Sequence, residues 1–141
     1  TPWKRKEDVA QTALANKIDV IISSSFYNVH YDYDATTNTY LRNMGGVKHL
    51  DEKSGKQLAP KNVLVMVMDN YISGQYNVYK TTGTGKFVAF QDGVASEGTW
   101  SRDDPKDQYT FKDKYGFDFL FNRGQTWVSI ISKRSNLSYK K

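Results

Sequence analysis

Residues 86–100 read KFVAFQDGVASEGTW, two apolar-rich arms on either side of Asp92-Gly93. Asp-Gly between such arms is the strongest short-range hairpin signal in the chain. Working outward, residues 62–68 (NVLVMVM) are apolar on both faces, as an interior strand of a buried sheet would be. Tyr76 to Lys80 reads as a further strand. Downstream, Tyr109–Lys112 and Phe117–Phe121 flank the turn residues Asp113-Lys114-Tyr115-Gly116, a second hairpin. Asn122-Arg123-Gly124 then turns the chain into Thr126–Ser132, where Trp127, Ser129 and Ile131 alternate with Val128 and Ile130.

Toward the N-terminus, residues 19–24 are short and rich in β-branched side chains. Tyr27, Val29, Tyr31 and Tyr33 alternate with Asn28, His30 and Asp32, a period of two with an aromatic face in and a polar face out. Residues 34–38 are turn chemistry, and Thr39–Arg42 returns as the second arm. Asn43–Lys61 is the longest irregular stretch, of the length that in a compact domain often carries function. The whole is mainly β: an antiparallel β-sandwich or partly open barrel of about nine or ten short strands. One short helix over residues 9–17 is the alternative to a loosely ordered lead-in. Residues 1–18 are expected to be a lead-in from a preceding N-terminal domain, 19–133 a single β domain, and 134–141 a frayed basic tail.

Of the 141 residues 38% are hydrophobic and 14% aromatic, which excludes a disordered chain and suits pleated, half-buried surfaces. There is no Cys, hence no disulfide, thiolate metal site or cysteine nucleophile. The longest apolar run, Val63–Met68, is far shorter than the roughly 20 residues that span a bilayer. Of the formal charge of +5, residues 133–141 carry +4 and residues 1–8 carry +1, which leaves 9–132 neutral. Nucleic-acid binders concentrate Lys and Arg on the working face, so no nucleic-acid partner is expected.

The candidate site is a polar set: His49 and Asp51 in the long stretch, Arg42, Asp32 and Asp34 on the first hairpin, and Arg123 after a turn, with His30 beside Asp32 on one strand face. Histidines and carboxylates ligate metals or move protons. A solvated outer sheet face, with Asp34 capping its turn, explains the strand members as well. Tyr27, Tyr31, Tyr33, Tyr76 and Tyr79 suit either a core face or an aromatic surface for glycans or peptides. Gly83-Thr84-Gly85-Lys86 is a turn rather than a phosphate loop, because a strand and not a helix follows it. There is no Gly-x-Ser-x-Gly elbow and no His-Glu-x-x-His motif. No catalytic residue, metal or cofactor is assigned.

Several stretches, in order, resemble the C-terminal domain of the YerB-like bacterial lipoproteins, a family of unknown function. They are Tyr31-Asp32-Tyr33-Asp34 leading to Tyr40-Leu41-Arg42; His49-Leu50-Asp51 with Ser54-Gly55 and then Asn62-Val63; Gly83 through Phe90-Gln91-Asp92-Gly93 to Gly98-Thr99-Trp100; and Leu120 through Trp127. The resemblance implies an extracytoplasmic location, with the membrane reached through a lipid anchor outside this chain and an N-terminal companion domain. It supplies no catalytic residues. The favoured reading is a non-catalytic binding or interaction module for a wall polymer or protein partner. The rivals are an envelope-acting hydrolase or metal-dependent enzyme using His49 and Asp51, and structural support for the N-terminal domain.

Overall fold

The structure, a computed structural model, describes residues 3–8, 15–21, 28–74 and 76–141. Its strands in chain order are β1 (Arg5–Lys6), β2 (Lys17–Val20), β3 (Val29–Asp34), β4 (Thr39–Met44), β5 (Val47–Lys48), β6 (Asn62–Val67) and β7 (Asn70–Ser73). There follow β8 (Tyr76–Tyr79), β9 (Gly83–Gln91), β10 (Val94–Arg102), β11 (Thr110–Asp113), β12 (Phe121–Asn122), β13 (Thr126–Ile131) and β14 (Leu137–Lys140), with a 3₁₀ turn at Arg134–Asn136. Two five-stranded sheets, β11-β10-β9-β6-β13 and β14-β2-β3-β4-β5, stack as a β-sandwich. Pairing within them is antiparallel apart from the parallel β6–β13 pair.

The two-residue period of β6 and β9 builds two cores from one sheet. Val63, Val65, Val88 and Phe90 face the second sheet and meet Ile18, Val20, Val29, Tyr31 and Tyr40. Leu64, Met66, Phe87 and Ala89 face the other way and join Trp100, Phe111 and Phe121 in a second core. Each such side chain, once buried, contributes about 1.5–3 kcal/mol, which is why an apolar run on both faces becomes an interior strand. The outer core is closed by Trp3, whose ring centroid lies 4.9 Å from that of Phe111 and 5.0 Å from that of Phe121.

The Asp92-Gly93 hairpin is present with the register Val94↔Gln91, and Asp92 (φ 56°) and Gly93 (φ 75°) take the positive dihedrals that such a two-residue turn requires. The second hairpin turn is held by Asp113, whose Oδ1 accepts from the Tyr115 and Phe117 N–H groups at 2.9 and 3.0 Å. Other segments differ from expectation. Gly83–Lys86 belongs to strand β9, and Gly85 sits where the Trp100 indole must pass: a Cβ there would lie 2.6 Å from Nε1. The C-terminal residues are not frayed, because Leu137–Lys140 pairs antiparallel with β2 and Leu137 enters the inner core. Nor is 43–61 wholly irregular: β5 pairs with β4, and the Leu58 and Pro60 carbonyls accept from the Arg42 and Tyr40 N–H groups. The helix expected over 9–17 falls, except for 15–17, outside the described residues, and Lys17 already belongs to β2.

Asp92 is 3% exposed. Its carboxylate accepts from Lys6 Nζ at 2.7 Å, Asn38 Nδ2 at 2.8 Å and Asn122 Nδ2 at 2.7 Å. Burial alone would raise its pKa, but these three donors outweigh it and hold the carboxyl below the ordinary carboxylate value. A depressed carboxylate stabilises the fold above its unfolded pKa of about 3.9, and that contribution is lost as pH falls through the lower folded value. Asp92→Asn keeps the side-chain size and tolerance of positive φ while removing the charge. It is expected to cost about 2 kcal/mol at neutral pH, read from urea midpoints, with the deficit shrinking on acidification below about pH 4.

Candidate functional site

Of the predicted set, the structure joins Arg42 to His49. The alternation of β4 turns Tyr40 and Arg42 inward, and Arg42 is 7% exposed. Its Nε–H donates to His49 Nδ1 at 3.0 Å, and Nη1 donates to the Tyr31 hydroxyl. The guanidinium carbon lies 4.3 Å from the Trp127 ring centroid and 5.4 Å from that of Tyr31, within cation–π range of both. His49 meets Trp127 edge-on with centroids 5.9 Å apart. Burial, and then the Arg42 charge, lower the His49 pKa, so the ring is a neutral acceptor at Nδ1 with its proton on Nε2.

The other members go elsewhere. Asp51 organises its own loop: Oδ2 accepts from the Ser54 N–H at 2.9 Å, and the backbone closes through Asp51 N–H to Lys56 O at 2.7 Å. The Ser54 N–H is also the main reason that its pKa is lowered. Asp34 accepts from the Thr36 N–H at 3.0 Å, a turn cap. Arg123 Nε donates to the Glu7 carboxylate at 2.7 Å, and both side chains are well exposed. Asp32 lies on the outer face of β3, where the cross-strand registers Asp19↔His30 and Lys17↔Asp32 assemble an ionic patch. His30 Nδ1 is 2.7 Å from Asp19, His30 Nε2 is 2.8 Å from Asp32, and Lys17 Nζ is 3.1 Å from Asp32.

No group of three or more His, Asp or Glu side chains placed to hold a metal ion exists among the described residues. The tyrosine series is a core face where it is described: Tyr31 is buried, Tyr33 packs on the inner core and Tyr79 on the outer one. Tyr27 lies outside the described residues.

Two features escaped sequence reasoning. One is the set of aromatic partners of Arg42. The other is a cleft of about 510 Å³ on the outer core, in which Trp3, Tyr109, Phe111 and Phe119 supply apolar surface and the exposed Lys4, Lys106, Asp107 and Asp118 supply charge. That size falls within the range of small-ligand sites. On the same segment Tyr115 (74%), Phe117 (70%) and Leu120 (43%) are exposed. The cleft joins residue 3 to residues 106–119, a proximity no local pattern reveals. The aromatic density of 109–121 was its available signal.

Fold and site together define a β-sandwich domain with an aromatic cleft on one face and, on one edge, a corner where the buried Arg42 meets the half-buried His49 and Trp127. The family described as "Protein of unknown function (DUF3048) C-terminal domain" matches residues 18–128, and the chain belongs to it. It is similar to "Putative lipoprotein YerB" of Bacillus subtilis (strain 168), 28% identical over 106 residues that make up 73% of this chain and 31% of that protein. Its fold is similar to that in the crystal structure of YerB protein from Bacillus subtilis, with a TM-score of 0.81 and 24% identity, over 95% of this chain and 47% of that one. The chain thus spans less than half the length of the relatives it matches.

Partial burial would lower the His30 pKa, but hydrogen bonds to Asp32 and Asp19 and the charges of both carboxylates reverse this and hold it above the ordinary imidazole value. A raised histidine stabilises the fold below its unfolded pKa of about 6.5 and ceases to do so as pH rises through the folded value. The patch is half-exposed, so His30→Gln is expected to lower stability by about 0.5–1 kcal/mol near pH 5.5. The deficit should shrink as pH rises through the raised folded-state value and the imidazole loses its charge.

Proposed function

We propose that the domain is a non-catalytic binding module of a lipid-anchored, extracytoplasmic protein, and that its partner is a wall polymer or a protein. The observation that carries this reading is the exposure of Tyr115, Phe117 and Leu120 on the chain segment that also lines the aromatic cleft. Exposed apolar groups gathered on one segment mark an interaction surface more than scattered ones do. Aromatic side chains supply contact area at low entropic cost, and the charges of Lys4, Lys106, Asp107 and Asp118 add orientation. The location rests on the word "lipoprotein" in the name of the Bacillus subtilis relative.

An acid/base role for His49 and Asp51 has less support. His49 Nδ1 is occupied by Arg42, and the Asp51 carboxylate by the backbone of its own loop. Neither residue lines the aromatic cleft.

Tyr115→Ala/Phe117→Ala removes exposed side chains and leaves the core intact. Soluble wall glycans, anionic wall polymers and peptides are titrated against both proteins by calorimetry. The expected result is saturable binding of one class, weakened by about thirtyfold or more in the double variant, as for an aromatic hot spot. Binding that the double variant retains in full overturns the reading.

A further inference from the structure

Residues 133–141 carry +4 of the formal charge of +5, and the fold holds them as the 3₁₀ turn and β14 at one edge of the second sheet. That edge stands against β9 and β10 of the first sheet. Arg134 Nη2 donates to the Glu97 carboxylate at 3.2 Å, and the Tyr139 ring meets Phe90 edge-on with centroids 5.2 Å apart. At this junction lies a cavity of about 280 Å³, with Lys86, Lys114 and Arg134 around it and Phe87 and Val88 as its apolar lining.

Strand register sets these groups on one side of the sheet. In the β9–β10 ladder Lys86 stands opposite Thr99 and Val88 opposite Glu97, so Lys86 and Glu97 project to the same face. Arg134 reaches that face from the other sheet, through Glu97. Lys114 comes from the turn after β11, its Nζ 5.2 Å from the Tyr115 ring centroid. Glu97 is the one carboxylate among the described lining residues, and Arg134 engages it. Lys86 and Lys114 are exposed, and among the described residues neither has an ion pair. Three cations against one anion therefore surround a single open cavity, in a chain whose residues 9–132 are neutral as a whole. Like charges around one cavity repel, and an anion placed among them removes that repulsion. The free ammonium groups supply charge-assisted donors to an oxyanion. A second cavity, of about 410 Å³, shares Glu97 and Lys114 with the first and adds Tyr115 and Tyr139. Asp113, the further carboxylate there, is engaged by the Tyr115 and Phe117 N–H groups. A ligand held by its acidic group thus has tyrosine rings beside it for an organic body.

We infer that this groove is an organic-anion site, in which Lys86 and Lys114, beside Arg134, take the phosphate or carboxylate group of a small ligand whose body lies toward Tyr115 and Tyr139. Its basic end shares no residue with the aromatic cleft or with Tyr115, Phe117 and Leu120, so it stands independently of the proposed function. The test follows the backbone amide cross-peaks of Lys86, Glu97, Thr99 and Lys114 in the ¹⁵N-labelled domain. Glucose 6-phosphate, glucuronate and uncharged glucose are titrated at constant ionic strength. Saturable shifts are expected from the anions and not from glucose: with glucose 6-phosphate alone they assign a phosphate group, with glucuronate alone a carboxylate, and with both a general oxyanion site. Lys86→Gln/Lys114→Gln removes two exposed charges that no ion pair uses, so the fold is retained and the dissociation constant should rise about tenfold or more. Cross-peaks that neither anion moves, shifts that glucose reproduces, or undiminished affinity in the double variant overturn the inference.

Discussion

The carboxylate of Asp92 accepts from Lys6 on β1, from Asn38 in the β3–β4 turn and from Asn122 on β12, so one anion fixes three stretches that are far apart in sequence. The turn that carries it is tied further: Gly93 N–H donates to the Tyr40 hydroxyl at 3.0 Å, and Gly93 O accepts from the Ala15 N–H at 2.8 Å. An ion so enclosed is tolerable only when its lone pairs are satisfied, and here satisfying them requires both sheets and the N-terminal segment to be in place. The consequence reaches the surface. With Lys6 anchored, β1 lies parallel to β12 and Trp3 falls over Phe111 and Phe121, which forms one wall of the aromatic cleft.

Much of the sandwich was legible because local patterns fixed it. Asp92-Gly93 marked its hairpin, residues 62–68 declared an interior strand, and the Val29-Tyr31-Tyr33 alternation told which face of β3 turns inward. Misreadings arose where tertiary contacts overrode local signals. Gly83-Thr84-Gly85 looks like a turn in isolation, yet Gly85 is the small residue a strand needs beneath the Trp100 indole. Lys140 and Lys141 suggested a solvated tail, but a single apolar residue, Leu137, together with pairing to β2 holds the strand before them.

The candidate site was legible as a list of residue types and not as a constellation. Asp32, Asp34, Arg42, His49, Asp51 and Arg123 are all polar and near one another in sequence or beside turns, but parity sorts them. On β4, Arg42 shares the inward face with Tyr40; on β3, Asp32 shares the outward face with His30. A polar residue on the inward parity of a strand was the signal that set Arg42 apart from the others. Its partner Trp127 lay beyond reach, because the meeting of β4 with β13 depends on how two sheets stack rather than on any spacing in the chain.

Asp92 and Arg42 are the two sides of one physical rule. Both are largely buried ions, Asp92 in a turn and Arg42 on the inward face of a strand, and each is worth retaining only if its environment replaces water. Asp92 is met by a cation and two amides, a matched arrangement that leaves little for a ligand to add and makes it a structural group. Arg42 is met by aromatic faces and neutral acceptors, which lower the cost of burial without cancelling the charge. An apolar side chain at position 42 would pack with less desolvation cost, so the aromatic faces are what make the guanidinium tolerable there. The fold by itself names no activity. The aromatic cleft and the Arg42 corner belong to the particular side chains of this chain rather than to the sandwich itself.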